Sequence, residues 1–97
     1  TLLKLMAQEA CMGTYDKFFR SIMSGQNDKN ISFNDFRKFI LSLGFNERIK
    51  GDHFIYSKEG IEEILNIQPN GNKAKPYQVK QVRNIVLKYK IGGNKNA

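Results

Sequence analysis

Between one helical stripe that stops at Gly44 and another that starts at Pro76, turn residues cut the chain into three strand-length pieces. The cuts are Gly51-Asp52, Ser57 to Gly60 and Pro69-Asn70-Gly71. Turns this tight join antiparallel neighbours, because glycine supplies the positive φ that a hairpin needs. Phe45 to Lys50 reads as the first strand, and His53 to Tyr56 alternates and returns as the second. Ile61 to Gln68 fits a helix at Ile61, Ile64 and Leu65 but alternates at Leu65 and Ile67. Its bounds, Gly60 and Pro69, leave only eight residues, which favours a third strand.

The flanking stripes are helical by spacing. Phe33, Phe36, Phe39, Ile40 and Leu43 recur at a period near 3.6, with Ser32 and Asp35 placed as a capping box. That aromatic stripe is core packing and suggests no cofactor groove. Val79, Val82, Ile85, Val86 and Tyr89 form the second stripe, entered through Pro76 and ended at Gly92-Gly93. A shorter helix from Tyr15 to Met23 is capped by Thr14 and carries Phe18, Phe19, Ile22 and Met23. Helix, helix, three strands, helix predicts an α+β domain: a three-stranded antiparallel sheet with helices packed on one face, plus an extra N-terminal helix. Residues 1–12 read as an extension and 13–97 as one domain, the size that 97 residues allow.

Charge is segregated along the chain. Up to Glu63, nine basic residues meet nine acidic ones; from Ile64 onward there are seven basic residues and no acid, which accounts for the net +7. A cationic end of this kind is a footprint for a polyanion, or else a solubilising face. The single cysteine, Cys11, forms no internal bridge and suits a reducing cytoplasm. Leu2 to Ala10 is too short and too interrupted to span a bilayer or to serve as a signal peptide. There is no Walker loop, dinucleotide fingerprint or Cys/His zinc set. Asp52, Glu59, Glu62 and Glu63 are scattered by turn and strand geometry, so no metal site is expected.

His53, the only histidine, opens the second strand directly after the Gly51-Asp52 turn. An imidazole there either satisfies a backbone group or moves a proton near neutral pH. Lys73, Lys75 and Lys80 flank the start of the last helix, where free amides and the helix dipole also attract phosphate. Lys50 adds a cation beside the turn, and Gly51 lets a phosphate approach the backbone or simply makes the turn. Tyr56 and Tyr77 are candidates to stack on a base, with packing the commoner use of such rings.

From Ile31 to Ile91 these pieces resemble the HicA family of toxin–antitoxin systems. The resemblance is carried by Gly51-Asp52-His53 in a hairpin and by the Lys75-Pro76 entry to the last helix. It implies a fold like a double-stranded-RNA-binding domain, activity as an mRNA interferase (an endoribonuclease), and a HicB-type antitoxin partner that covers the site. It carries the family's catalytic histidine to His53 and the motif glycine to Gly51. The family's serine position is Asp52 here, a departure that sets a carboxylate next to the imidazole. The Tyr15–Met23 helix extends beyond the family domain. No cofactor is implied. A module of the same fold that binds RNA without cutting it is the rival expectation, and a pure protein-interaction domain is a third.

Overall fold

Ser32 accepts a hydrogen bond from the Asp35 amide at 3.3 Å, forming the serine half of the expected capping box. The helix it starts, Phe33–Ser42 (α2), buries Phe33, Phe36, Phe39 and Ile40 on one side. This computed structural model describes residues 16–92. Residues 16–24 are helical (α1), and a single 3₁₀ turn covers Asp28–Asn30. The expected extension over residues 1–12 lies outside the described residues.

After α2 come three antiparallel strands in the order β1-β2-β3: Asn46–Lys50, His53–Lys58 and Ile61–Ile67. Gly51-Asp52 and Glu59-Gly60 are two-residue hairpin turns, with φ of +63° at Gly51 and +90° at Gly60. The second turn is two residues shorter than expected. Ser57 and Lys58 stay in β2 because Lys58 pairs with Ile61, and an irregularity in β3 opposite Ser57 absorbs the mismatch. Phe45, expected at the start of β1, is instead a buried lead-in to it.

The register sorts the sheet into two faces. Phe54, Tyr56, Leu65 and Ile67 point toward the helices, and Tyr56, Leu65 and Ile67 are fully buried with Ile22, Phe36, Val79 and Val82. Arg48, Lys50, Ile64 and Asn66 lie on the other face and are exposed, with no layer over them among the described residues. Each buried aliphatic or aromatic side chain contributes roughly 1.5–3 kcal/mol, so one well-filled inner face is what holds a chain this short together.

The last helix, Pro76–Tyr89 (α3), begins with Pro76 in its first turn as expected. It ends earlier than Gly92-Gly93: Lys90 takes the left-handed conformation (φ 54°) and the Ile91 amide donates back to the Val86 carbonyl at 3.2 Å. The early stop folds Ile91 onto the core, a contact that commonly accompanies such caps. Gly92 follows at φ +91°, where a Cβ would lie 2.6 Å from Leu43 Cδ2, so any other residue there would strain the backbone and push the Leu43 side chain aside.

α1 is held by aromatic contacts and one guanidinium. Phe18 meets Phe39 edge-on at 5.6 Å between ring centroids. Arg83 donates to the Ile22 carbonyl at 2.9 Å and to both oxygens of Asp28 at 3.0 Å. At the far end of α3, Lys88 and the Tyr89 hydroxyl both donate to Glu63 on β3, at 2.8 and 2.7 Å. Lys88 first, then Tyr89, pulls the Glu63 carboxyl down to about 2. A carboxyl depressed in the folded state stabilises above its unfolded value, near 4.5, and loses that contribution as pH falls toward 2. Glu63→Gln is therefore expected to flatten the decline of stability between those two pH values in acid titrations followed by circular dichroism. The same contribution is what the variant gives up at pH 7, and both effects should be small because Lys88 is more than half exposed.

Among the described residues no helix is long and apolar enough to cross a membrane.

Candidate nucleic-acid interface

The hairpin turn at Gly51 brings Lys50 on β1 directly opposite His53 on β2. On the other side of His53 stands Gln68, just past β3, whose Nε2 lies 3.4 Å from the imidazole Nε2. The result is a row, Lys50–His53–Gln68, across the uncovered face of the sheet. A second row behind it runs Arg48, Ile55, Asn66.

Asn66 reaches from that second row to the imidazole, with Oδ1 3.0 Å from His53 Nδ1. An amide oxygen only accepts, so in the neutral ring the proton sits on Nδ1 and Nε2 keeps its lone pair. That lone pair faces the Gln68 amide, at a distance long for a hydrogen bond. The His53 side chain is 46 % exposed, open enough to be reached by a large ligand. Asp52 comes closer to the ring than a residue on the opposite strand face would. It belongs to the turn, not to β2, and its Oδ1 lies 3.8 Å from His53 Nε2 while Oδ2 accepts from Gln68 at 3.4 Å.

Among the described residues a Cβ at Gly51 would meet nothing within 4 Å, so its backbone is open to a ligand as well as shaped for the turn. Lys50 and Lys80 are exposed; Lys73 and Lys75 are half-buried. None of these lysines is a hydrogen-bond partner of the imidazole, whose partners are Asn66 and Gln68. Lys73 donates to Asn30 and sits in the loop before α3, and Lys75 is the backbone N-cap of that helix. Tyr77 is 65 % exposed, whereas Tyr56 is fully buried in the core and is not available to stack on a base.

What joins the lysines to the histidine row is Gln78, a residue the sequence did not single out. It is buried, accepts from the Gln68 amide at 3.3 Å and donates to the Asn66 carbonyl at 3.2 Å. One side-chain amide thus completes the open edge of β3 as a neighbouring strand would, and fixes the first turn of α3 beside it. Gln78→Leu should cost about 1–3 kcal/mol, because it strands both backbone groups. The check is chemical denaturation, together with faster amide exchange at Gln68.

The positive footprint is also redistributed by folding. Arg83 and Lys88, two of the seven late cations, are paired with Asp28 and Glu63 and do not face a ligand as free charges. The hydrogen bonds they donate to those carboxylates raise both cations above their ordinary values. Arg48 and Lys50, from the charge-balanced part of the chain, have no carboxylate partner among the described residues and stand on the histidine face. Sequence counting credits charge to segments, whereas ion pairs between segments move it.

Among the described residues no group of three or more His, Cys, Asp or Glu side chains is clustered to hold a metal ion. Searches against protein families, curated proteins and solved structures find no match to this chain.

Proposed function

We propose that this domain acts on RNA as a HicA-like toxin: an endoribonuclease that cleaves mRNA with His53 as its proton-transferring group, restrained by a HicB-type antitoxin. The observation that carries the reading is the half-exposed imidazole in a row with Lys50, oriented by Asn66 on the uncovered sheet face. The order from α2 through three strands to α3, with both helices on one face, is what a double-stranded-RNA-binding-type fold requires and supports the same reading.

RNA supplies its own nucleophile. Nε2 of His53 takes the proton of a 2′-hydroxyl as that oxygen attacks the adjacent phosphorus. The bond from phosphorus to the 5′-oxygen breaks, and a proton from water or a lysine goes to the leaving oxygen. A 2′,3′-cyclic phosphate and a 5′-hydroxyl result, with cations such as Lys50 offsetting charge on the phosphorane-like intermediate. Gln68 must release Nε2 for this, and its 3.4 Å contact is weak enough to yield. One histidine cannot be base and acid at the same instant, so the enzyme is expected to be slow.

The test is incubation of the protein with single-stranded RNA in the presence of a chelator. Fragments ending in cyclic phosphate support the reading; intact RNA after long incubation overturns it. A second reading, RNA binding without chemistry, draws on the fact that both imidazole nitrogens already face amides. It expects salt-sensitive binding and no fragments.

A further inference from the structure

Around the end of the sheet from His53, on the helix side, an open cleft of about 470 Å³ lies between the start of α2, the loop before α3 and the ring of Phe54. That is within the range of small-molecule sites, roughly 300–1,000 Å³. We propose that this cleft is a subsite for one ribonucleotide unit of the RNA strand, holding its phosphate at Lys73 and its base against Phe54, Asn34 and Asn72. The inference rests on the RNA reading and adds a place where that substrate is gripped.

Its walls are preformed. The Phe33 amide donates to the Asn72 carbonyl at 2.9 Å, and the Ala74 amide to the Ile31 carbonyl at 2.8 Å. Asn70 and Lys73 exchange backbone hydrogen bonds of 2.8 and 3.0 Å, closing the loop between them. Phe54 is fixed by Phe33, edge-on at 5.0 Å between centroids, and by the Arg37 guanidinium 4.8 Å from its centroid.

Charge selects the ligand. Among the described residues no carboxylate lines the cleft. Arg37 is matched by Glu47 in a two-pronged pair, so the two together carry no net charge. Lys73 bonds the neutral amide of Asn30, and among the described residues no carboxylate is paired with it. One uncompensated cation suits the single negative charge of a phosphodiester. Asn34 and Asn72 are exposed and offer both donors and acceptors, which is what reading the edge of an unstacked base needs.

Position ties the cleft to the row described above. Phe54 and Pro69, which line it, directly follow His53 and Gln68 in the chain. A strand held in the cleft and at His53 would wrap the Gly51 end of the sheet, where the backbone is open.

The experiment is a titration of the ¹⁵N-labelled protein, followed by NMR, with each of the four ribonucleoside monophosphates and, separately, with inorganic phosphate. Nucleotides are expected to shift the side-chain amides of Asn34 and Asn72 and the backbone of Gly71, with phosphate alone moving only the neighbourhood of Lys73. With a 2′-O-methyl oligonucleotide, which lacks the attacking hydroxyl, Asn72→Leu should weaken binding about tenfold, and Asn34→Leu serves as the second variant. Shifts confined to the Lys50–His53–Gln68 row, or none at millimolar nucleotide, overturn the subsite, as does unchanged oligonucleotide affinity in both folded variants. RNA cleavage without cleft shifts rejects the subsite and keeps the nuclease; cleft shifts without cleavage keep the subsite and reject the nuclease.

Discussion

His53→Ala is expected to lower RNA cleavage by at least about a hundredfold while leaving the melting temperature nearly unchanged. Positioned acid–base groups typically contribute roughly 10²–10⁴ in rate, and truncation removes the whole contribution. The fold does not depend on the ring: it is half-exposed, on the uncovered face, and its contacts are two surface amides. Exposed substitutions away from caps and cores stay within about 0.5 kcal/mol. Asn66→Ala should give a smaller loss than His53→Ala, because the imidazole survives but no longer has its Nδ1 proton held. Gel-resolved cleavage rates with a thermal melt on the same samples check both. Undiminished cleavage by a folded His53→Ala protein removes the mechanism.

Glu47→Ala should produce the largest loss of stability of any single polar change. Arg37 donates to both oxygens of Glu47, at 3.0 and 2.9 Å, and the Tyr56 hydroxyl donates to the same carboxylate at 2.6 Å. The Tyr56 ring is fully buried, so removing the acceptor leaves a phenol hydroxyl unpaired in the core and a guanidinium without its counter-charge. Breaking a fully buried pair costs about 3–5 kcal/mol. Arg37 keeps 30 % of its side-chain exposure, which lowers the expectation to about 2–3 kcal/mol, on the order of 10–20 °C in a domain this size. Tyr56→Phe should cost less, since the ion pair remains.

The same three residues set a pH window. The hydrogen bond from Arg37 is the main influence lowering the Glu47 carboxyl, so its contribution is present above the ordinary carboxylate range and lost on acidification. Burial first, then the Glu47 carboxylate, raises the Tyr56 phenol. That contribution is intact below about pH 10, the unfolded value, and fades as pH rises beyond it. Tyr56→Phe should therefore blunt alkaline unfolding, and Glu47→Ala should remove the acid limb but only part of the alkaline one, because burial still raises the phenol.

Most of the architecture was legible because local signals agreed with one another. Ser32, Gly51, Gly60 and Pro76 each mark a boundary through backbone chemistry, and the apolar stripes of α2 and α3 have the helical period. What sequence could not provide were side chains that act across elements. Gln78 looks like any polar helical residue until α3 lies along β3. Arg37 sits on the polar side of its stripe, and only the packing of β1 under α2 brings Glu47 to it. Lys90 in a left-handed turn defied expectation because glycine, two residues on, was the better local candidate. His53 and its turn were readable, but its orienting partner, Asn66, comes from a strand thirteen residues away.

The clip that Arg83 makes to Ile22 and Asp28 bears on how the chain must be handled. A shortened protein beginning at Ile31 would strip the cover from Phe39 and orphan a guanidinium that is only 14 % exposed in the intact fold. Residues 16–30 are thus a lid on the core's far flank, and trimming the chain to residues 31–91 would yield a stickier, weaker molecule than the one described.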